Sequence, residues 1–121
     1  MSTAIVVAED RDGIAKRALD LMVSALAAAI TQRGEAHLAL TGGSSAAALY
    51  GLLLSDARAR RVSWDTVHIW QGDERLAPTS HADSNWRQAR SAWLLAEDPP
   101  SIPAKQLHRM LEHAGRVTAT D

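Results

Sequence analysis

The chain has 121 residues, of which 46% are hydrophobic and 22% charged, and this length and composition fit one globular domain. The formal net charge of -1 argues against nonspecific nucleic-acid binding, and the longest uncharged apolar stretch, residues 21–30, is too short to span a bilayer. The absence of cysteine excludes disulfides, thiol catalysis and zinc sites built on thiolates. We therefore expect a cytoplasmic protein without nucleic-acid or membrane partners.

The first elements are predicted from apolar patterning. Residues 4–8 form a short, β-branched apolar run that predicts a buried strand. Apolar residues then recur at 3.6-residue spacing, which predicts one long amphipathic helix over roughly 11–33. Asp10 or Asp12 is placed to cap the start of this helix, and Gly34 is placed to end it in a left-handed conformation.

A glycine pair with neighbouring hydroxyls follows the second predicted strand, residues 36–40, and precedes a helix that runs to about residue 59. Glycines allow close approach of a ligand to the backbone, and the free N–H groups and dipole of a helix start favour an anion. The alternative is an ordinary tight turn between strand and helix. The candidate phosphate-binding residues are Gly42, Gly43, Ser44 and Ser45.

The second half of the chain begins with a third predicted strand, residues 66–70, which is rich in β-branched and aromatic residues. A long polar loop over 72–83 follows, and a helix is predicted over about 84–96 with Asp83 or Ser84 as its cap. Because the chain has no phenylalanine, we expect its tryptophans to supply the large core side chains: Trp64, Trp70, Trp86 and Trp93.

The order of the elements predicts the fold. A short fourth strand over 106–110 completes an alternation of strands and helices, which is typical of a parallel sheet covered on both faces. We expect a single α/β domain over 1–121 with a Rossmann-like, three-layer α/β/α architecture and a mainly parallel, apparently incomplete sheet. Ligands bind outside the carboxyl ends of such strands, where the loops 41–45 and 71–85 are expected to meet.

Charged residues follow the third strand directly. Arg75 presents a planar fork of donors that suits a phosphate or a carboxylate, and Asp73 and Glu74 either orient that fork or polarise a sugar hydroxyl. A solvated loop with a local salt bridge is the alternative. Because both polar loops are predicted at one edge of the sheet, we favour a binding site.

Four blocks of the sequence, at 41–44, 64–68, 72–75 and 81–85, occur in the order and with the separations of one family. The chain resembles the amino-terminal half of the 6-phosphogluconolactonases, within the glucosamine-6-phosphate isomerase/deaminase-like superfamily. The related deaminases carry a different acidic block after the third strand. The Gly-Asp-Glu-Arg block at 72–75, together with the later Asp-Ser-Asn block, is the more specific part of the resemblance.

The resemblance implies a hydrolase of the pentose phosphate pathway that converts 6-phosphogluconolactone to 6-phosphogluconate without metal or cofactor. It implies a phosphate-side loop at Gly42, Gly43 and Ser44, where Ser45 supplies a further hydroxyl, pocket residues Asp73 and Arg75, and supporting residues Glu74, His81, Ser84 and Asn85.

The same resemblance leaves the catalytic base unassigned. The second half of the family carries a glycine-rich segment with the histidine thought to activate water, and this sequence has no such segment. His37 and His68 lie in predicted strands, His108 and His113 lie near the end, and His81 fits a pocket rim. We therefore expect the general base to lie outside this chain.

Two other functions stay open at this stage. One is a non-catalytic module that binds a sugar phosphate or a partner protein, and the other is a sugar-phosphate isomerase or deaminase of the same fold. A sheet left open at one edge also predicts self-association, or a missing carboxyl-terminal half that covers it.

Overall fold

The computed structural model of the protein describes residues 2–94 and 102–110. In chain order, the elements are α1 (Arg11–Arg33), β1 (Ala36–Leu40), α2 (Ser44–Ser55), α3 (Ala57–Arg60), β2 (Val67–Gln71), α4 (Asn85–Ala89) and β3 (Leu107–His108). Trp64–Thr66 and Ala104–Gln106 form 3-10 turns, and Arg90–Leu94 continues α4 as a π-helical turn. The predicted helix end at 95–96 and His113 lie outside the described residues.

The long helix α1 forms where its apolar spacing predicts it. The Asp10 side chain accepts a hydrogen bond of 2.7 Å from the Gly13 N–H, so Asp10 is the N-cap and Asp12 lies inside the first turn. Gly34 closes the helix with φ 80°, and its N–H donates to the Ile30 carbonyl at 2.8 Å. Both ends of α1 are therefore fixed by local sequence.

The three strands form one parallel sheet in the order β1-β2-β3. Ala36 lies opposite Val67, and Ile69 lies opposite Leu107. The α/β class and the parallel sheet expected from the sequence are confirmed. Because both pairings are parallel, all three strands point their carboxyl ends to the same edge.

The core lies between one face of this sheet and the helices. Ala36, Leu40, Val67 and Ile69 turn to this face and are buried. The helices and turns contribute the large core side chains Leu19, Leu26, Tyr50, Leu53, Trp64, Trp86 and Trp93. Three of the four tryptophans expected in the core are therefore there.

The fourth tryptophan, Trp70, is 43% exposed, and its predicted core position is wrong. Side chains alternate along a strand, so Trp70 turns to the sheet face opposite the core. There it stacks on His108 with ring centroids 3.9 Å apart and donates its indole N–H to His37 Nδ1 at 3.0 Å. His68 stacks between His37 and His108 on the same face. We call this surface the open face.

The predicted strand at 4–8 is also wrong. Residues 2–8 have no regular structure, and Ile5 and Val7 are 87% and 88% exposed. A β-branched run becomes a strand only where a neighbouring strand satisfies its N–H and C=O groups. Among the described residues, the strands pair with each other and none pairs with this segment.

The helix predicted to run from the glycine pair to residue 59 is divided at Asp56. Asp56 has extended backbone angles (φ -85°, ψ 133°), and its side chain accepts a hydrogen bond of 2.9 Å from the Arg58 N–H. An aspartate that caps a new helix competes with continuation of the old one. Within the described part of the chain, no helix has the length and apolar character needed to cross a bilayer.

Candidate functional site

The two polar loops singled out in the sequence are adjacent in the structure. We call residues 41–45 the glycine loop and residues 72–75 the acidic loop. The Thr41 hydroxyl donates to Asp73 Oδ1 at 3.1 Å, and the Gly72 N–H donates to the Leu40 carbonyl at 2.7 Å. The parallel pairing of β1 and β2 thus continues past the strand ends and holds the loops side by side.

The glycine loop has no space for a side chain at its first glycine. A Cβ at Gly42 would lie 2.5 Å from Asn85 Cγ and 3.0 Å from Asn85 Nδ2, and it would overlap Asn85 Oδ1. Gly43 is the N-cap of α2 with φ 100° and ψ 177°, a region that only glycine populates readily. The close approach of Asn85 and the unusual backbone of Gly43 explain both glycines.

The first turn of α2 has no side-chain cap. Among the described residues, the N–H groups of Ser44 and Ser45 have no hydrogen-bond partner, and both residues are exposed. Two free donors at the positive end of a 12-residue helix form an arrangement that attracts an anion. The phosphate predicted for the glycine loop would bind to these donors, and its binding here stays a prediction.

Glu74 faces α4 and not the exposed edge. Its carboxylate accepts hydrogen bonds of 2.7–3.1 Å from the side chains of Gln71 and Ser84 and from the N–H groups of Arg75, Asn85 and Trp86. Burial alone would raise the pKa of Glu74, but these hydrogen bonds outweigh it and lower the pKa below its ordinary value. With its acceptor capacity filled by the protein, Glu74 supports the loop.

Asp73 and Arg75 flank Glu74 and are exposed. Asp73 Oδ1 accepts from Thr41, and the Asp73 carbonyl accepts from Asn85 Nδ2 at 3.4 Å. The guanidinium of Arg75 has no carboxylate within salt-bridge distance among the described residues. Asp73 therefore offers an acceptor and Arg75 a donor fork to a ligand at this edge.

Tyr50 lies beneath the glycine loop and was not predicted from the sequence. Its side chain is 2% exposed, and its hydroxyl donates to the Thr41 carbonyl. Burial, followed by the nearby charge of Asp73, raises the pKa of Tyr50 to about 12, although the hydrogen bond to Thr41 opposes this shift. Tyr50 is therefore a neutral donor that fixes the start of the loop. The only signal in the sequence is general: a buried tyrosine needs a partner for its hydroxyl.

The start of α4 joins both loops. Ser84, one of the two caps predicted from the sequence, caps the helix by accepting from the Arg87 N–H at 3.2 Å, and Asp83 does not. Asn85 contacts Gly42 of the glycine loop and donates to Asp73 of the acidic loop. Gln88, which was not predicted from the sequence, is hydrogen-bonded to Gly43.

The described histidines do not contact either loop through hydrogen bonds. His81 Nδ1 accepts from the Asp83 N–H at 3.0 Å within its own loop. His37, His68 and His108 form their hydrogen bonds and stacks on or beside the open face. In the described ranges, no three His, Asp or Glu side chains are placed to hold a metal ion.

A cavity of about 440 Å³ lies at the opposite end of the sheet. It is lined by residues that precede the strands, including Glu35, Thr66 and Lys105. Ligands of open parallel sheets bind at the carboxyl ends of the strands, so this cavity does not compete with the two loops as the candidate site.

Comparisons with known proteins identify the family of the chain. Residues 9–120 match the family described as glucosamine-6-phosphate isomerases/6-phosphogluconolactonase. A 6-phosphogluconolactonase of Nostoc sp. is 38% identical over 108 residues, which are 89% of this chain and 42% of that relative. The 6-phosphogluconolactonase of Mycobacterium tuberculosis is 37% identical over 95% of this chain and 44% of its own length.

A solved structure shows the same fold. The 6-phosphogluconolactonase from Trypanosoma cruzi superposes with a TM-score of 0.72 at 27% identity, covering 89% of this chain and 39% of that one. The chain thus spans less than half the length of the relatives it matches. On its sequence match and its fold, the chain belongs to the glucosamine-6-phosphate isomerase/6-phosphogluconolactonase family.

Proposed function

We propose that this chain carries the sugar-phosphate-binding loops of a 6-phosphogluconolactonase, which hydrolyses 6-phosphogluconolactone to 6-phosphogluconate. The observation that carries the proposal is the direct contact of the glycine loop with the acidic loop, from Thr41 to Asp73. Relatives that align over 89% and 95% of the chain bear the name of this enzyme. Because the substrate is a phosphorylated sugar that does not cross membranes, we also propose a cytoplasmic location.

In the proposed site, the phosphate binds the free N–H groups of Ser44 and Ser45 and the guanidinium of Arg75. Bidentate contact with a guanidinium adds geometric selectivity to the charge attraction. Asp73 accepts a hydrogen bond from a sugar hydroxyl, since a carboxylate has several acceptor positions and Thr41 fills one of them. Gly42 and Gly43 allow the ligand to approach the backbone.

The reaction itself requires a base. Water adds to the lactone carbonyl carbon and gives up a proton, and the ring C–O bond then breaks as the ring oxygen takes a proton to become a hydroxyl. Histidine is the usual base at neutral pH. No described histidine is hydrogen-bonded to either loop, which supports the proposal that the base lies outside this chain. That the reaction uses neither metal nor cofactor is what the family resemblance implies, and it stays a prediction.

Calorimetry and a lactonase assay test the two parts of the proposal separately. Titration of residues 1–121 with 6-phosphogluconate is expected to give saturable binding, whereas gluconate, which lacks the phosphate, is expected to bind far more weakly. The lactonase assay is expected to show little hydrolysis above the spontaneous rate. Equal binding of both ligands would contradict the proposed phosphate site. Substantial hydrolysis would contradict the proposal that the base lies outside this chain.

A second candidate function is a non-catalytic sugar-phosphate-binding module, or one that binds a partner protein. It is favoured because no described histidine forms a hydrogen bond to either loop. Restored hydrolysis on addition of a separate polypeptide with the sequence of the relatives' remaining half would favour the lactonase. Binding without restored hydrolysis would favour the module, and turnover of glucosamine 6-phosphate would favour a deaminase.

Self-association, expected from the sequence, stays a prediction. The open face exposes Trp70 and Ala39 in a sheet whose other face is buried. Exposed apolar surface of this kind favours association. Light scattering over a concentration series is expected to show an average mass above that of one chain, and a constant monomer mass would contradict this prediction.

A further inference from the structure

Gln88 contacts the backbone of Gly43 through both ends of its carboxamide. Gln88 Oε1 accepts a hydrogen bond of 3.1 Å from the Gly43 N–H, and Gln88 Nε2 donates one of 2.7 Å to the Gly43 carbonyl. The two residues are 45 positions apart in the sequence. A single side chain therefore forms hydrogen bonds to both the backbone N–H and the backbone carbonyl of one residue in the glycine loop.

The conformation of Gly43 makes these contacts informative. With φ 100° and ψ 177°, Gly43 occupies a region that is sparsely populated and essentially limited to glycine. Such conformations persist where the surrounding structure holds them, and glycine has more alternatives available than any other residue. The two hydrogen bonds from Gln88 are contacts that hold this one.

The orientation of Gly43 sets the start of α2. The Gly43 carbonyl also accepts the first helical hydrogen bond, from the Ala47 N–H at 3.0 Å. Rotation of the peptide unit between Gly43 and Ser44 would therefore turn the Ser44 N–H directly, and the Ser45 N–H would move with the start of the helix. Because Gln88 occupies the Gly43 N–H, an anion at this turn is left with the donors that follow it.

The placement of Gln88 on α4 links it to the rest of the site. Gln88 lies three residues after Asn85, so both side chains share a face of α4. Asn85 packs against Gly42 and Gln88 bonds to Gly43, so consecutive glycines meet neighbouring side chains of one helix. Glu74 in turn holds the start of α4 through the Asn85 and Trp86 N–H groups.

We infer that Gln88 is a positioning residue of the proposed phosphate site: its carboxamide fixes the two peptide units that flank the Gly43 Cα and thereby directs the N–H groups of Ser44 and Ser45 toward the phosphate. This inference rests on the proposed function for the identity of the ligand. The hold on Gly43 is independent of any ligand.

Two variants test the two hydrogen bonds. Gln88→Leu has a similar volume and neither hydrogen bond, whereas Gln88→Glu retains an acceptor for the Gly43 N–H and replaces the donor with a negative charge. Gln32→Leu, an exposed position on α1, is the matched control. Amide hydrogen exchange measured by NMR reports the hold on Gly43, and calorimetry with 6-phosphogluconate and gluconate reports the site.

We expect Gly43 exchange at least tenfold faster in Gln88→Leu than in the wild type, with the amides in the middle of α2 unchanged, and nearly wild-type protection in Gln88→Glu. Both variants are expected to weaken 6-phosphogluconate binding about tenfold or more, and Gln32→Leu is expected to leave it unchanged. Unchanged Gly43 exchange in Gln88→Leu, or equal or tighter phosphate binding, would overturn the inference.

If the wild type does not bind 6-phosphogluconate, the proposed function fails, and with it the role of Gln88 at a phosphate site. Gly43 exchange then still decides whether Gln88 holds the loop.

Discussion

Substitution of Gly42 by alanine tests the contact between the glycine loop and α4. A Cβ at this position would overlap Asn85 Oδ1 and lie 2.5 Å from Asn85 Cγ. The Asn85 side chain must move, and its hydrogen bond to the Asp73 carbonyl, 3.4 Å long, is then lost. Asn85 is buried and its N–H is bonded to Glu74, so the backbone has little freedom to follow.

The expected cost follows from these contacts. Insertion of a methyl group into a packed site costs roughly 1–3 kcal/mol. Loss of the long Asn85 hydrogen bond adds about 0.5 kcal/mol. We therefore expect Gly42→Ala to lower the free energy of unfolding by about 1.5–3.5 kcal/mol. At about 4 °C per kcal/mol for a domain of this size, the Tm falls by roughly 6–14 °C.

The chain provides a matched control for the same chemical change. Gly51 lies inside α2, and a Cβ there meets no atom within 4 Å. Gly51→Ala is therefore expected to raise the stability by roughly 0.5–1 kcal/mol, because alanine is the better helix former. Both variants are compared with the wild type by urea unfolding. The dependence of the free energy of unfolding on urea concentration must be the same in all three proteins for the comparison to hold.

A double-mutant cycle identifies the group responsible. In an Asn85→Ala background the overlapping atoms are absent, so Gly42→Ala should cost at least 1 kcal/mol less than in the wild type. If Gly42→Ala is as stable as the wild type, or if its cost is the same in both backgrounds, Asn85 does not lie against Gly42 and the described packing of the site is incorrect.

Three further predictions concern single side chains. Glu74→Gln is expected to lower stability at pH 7 by roughly 1.5–2 kcal/mol, because charge-assisted hydrogen bonds are lost near solvent. The folded-state pKa of Glu74 lies below its ordinary value of 4.5. Its contribution to the free energy of unfolding is therefore present above pH 4.5 and is lost as the pH falls through the lower folded-state pKa. If the wild type loses no more stability in acid than Glu74→Gln does in a pH series of unfolding experiments, this prediction is wrong. Tyr50→Phe leaves the Thr41 carbonyl without its buried donor and should cost roughly 1–2 kcal/mol by urea unfolding, and an unchanged midpoint would contradict the contact. Arg75→Ala is expected to weaken 6-phosphogluconate binding by roughly 10–100-fold in calorimetry but not to change stability, and an equal loss for gluconate would show that Arg75 does not bind the phosphate.

The sequence predicted those parts of the fold that depend on local signals. The apolar spacing, Asp10 and Gly34 determine the bounds of α1, and both caps act through residues within four positions. The apolar run at 4–8 carries an equally clear local signal, but the strand predicted there was wrong, since a strand requires hydrogen bonds from another part of the chain. The prediction that Trp70 lies in the core was wrong for a related reason. Composition indicates a large apolar side chain but not which face of the sheet that side chain occupies.

The candidate site shows the same limit. Glycines and charged residues at strand ends marked the two loops, and β-sheet topology was sufficient to bring them to one edge. The separate directions of Asp73 and Glu74 were not visible in the sequence, because they depend on the position of the Ser84, Asn85 and Trp86 donors. Gln88 and Tyr50 were missed because neither residue type marks a loop contact.

The two carboxylates of the acidic loop therefore have different roles, which the sequence alone does not distinguish. Glu74 binds inward to the start of α4, and α4 in turn holds the glycine loop through Asn85 and Gln88. The two loops are consequently joined twice, once directly between Thr41 and Asp73 and once through α4. A ligand that binds both loops meets backbone donors of the glycine loop and an Asp73 carboxylate already held by the protein, so less ordering entropy opposes its binding than at two independent loops.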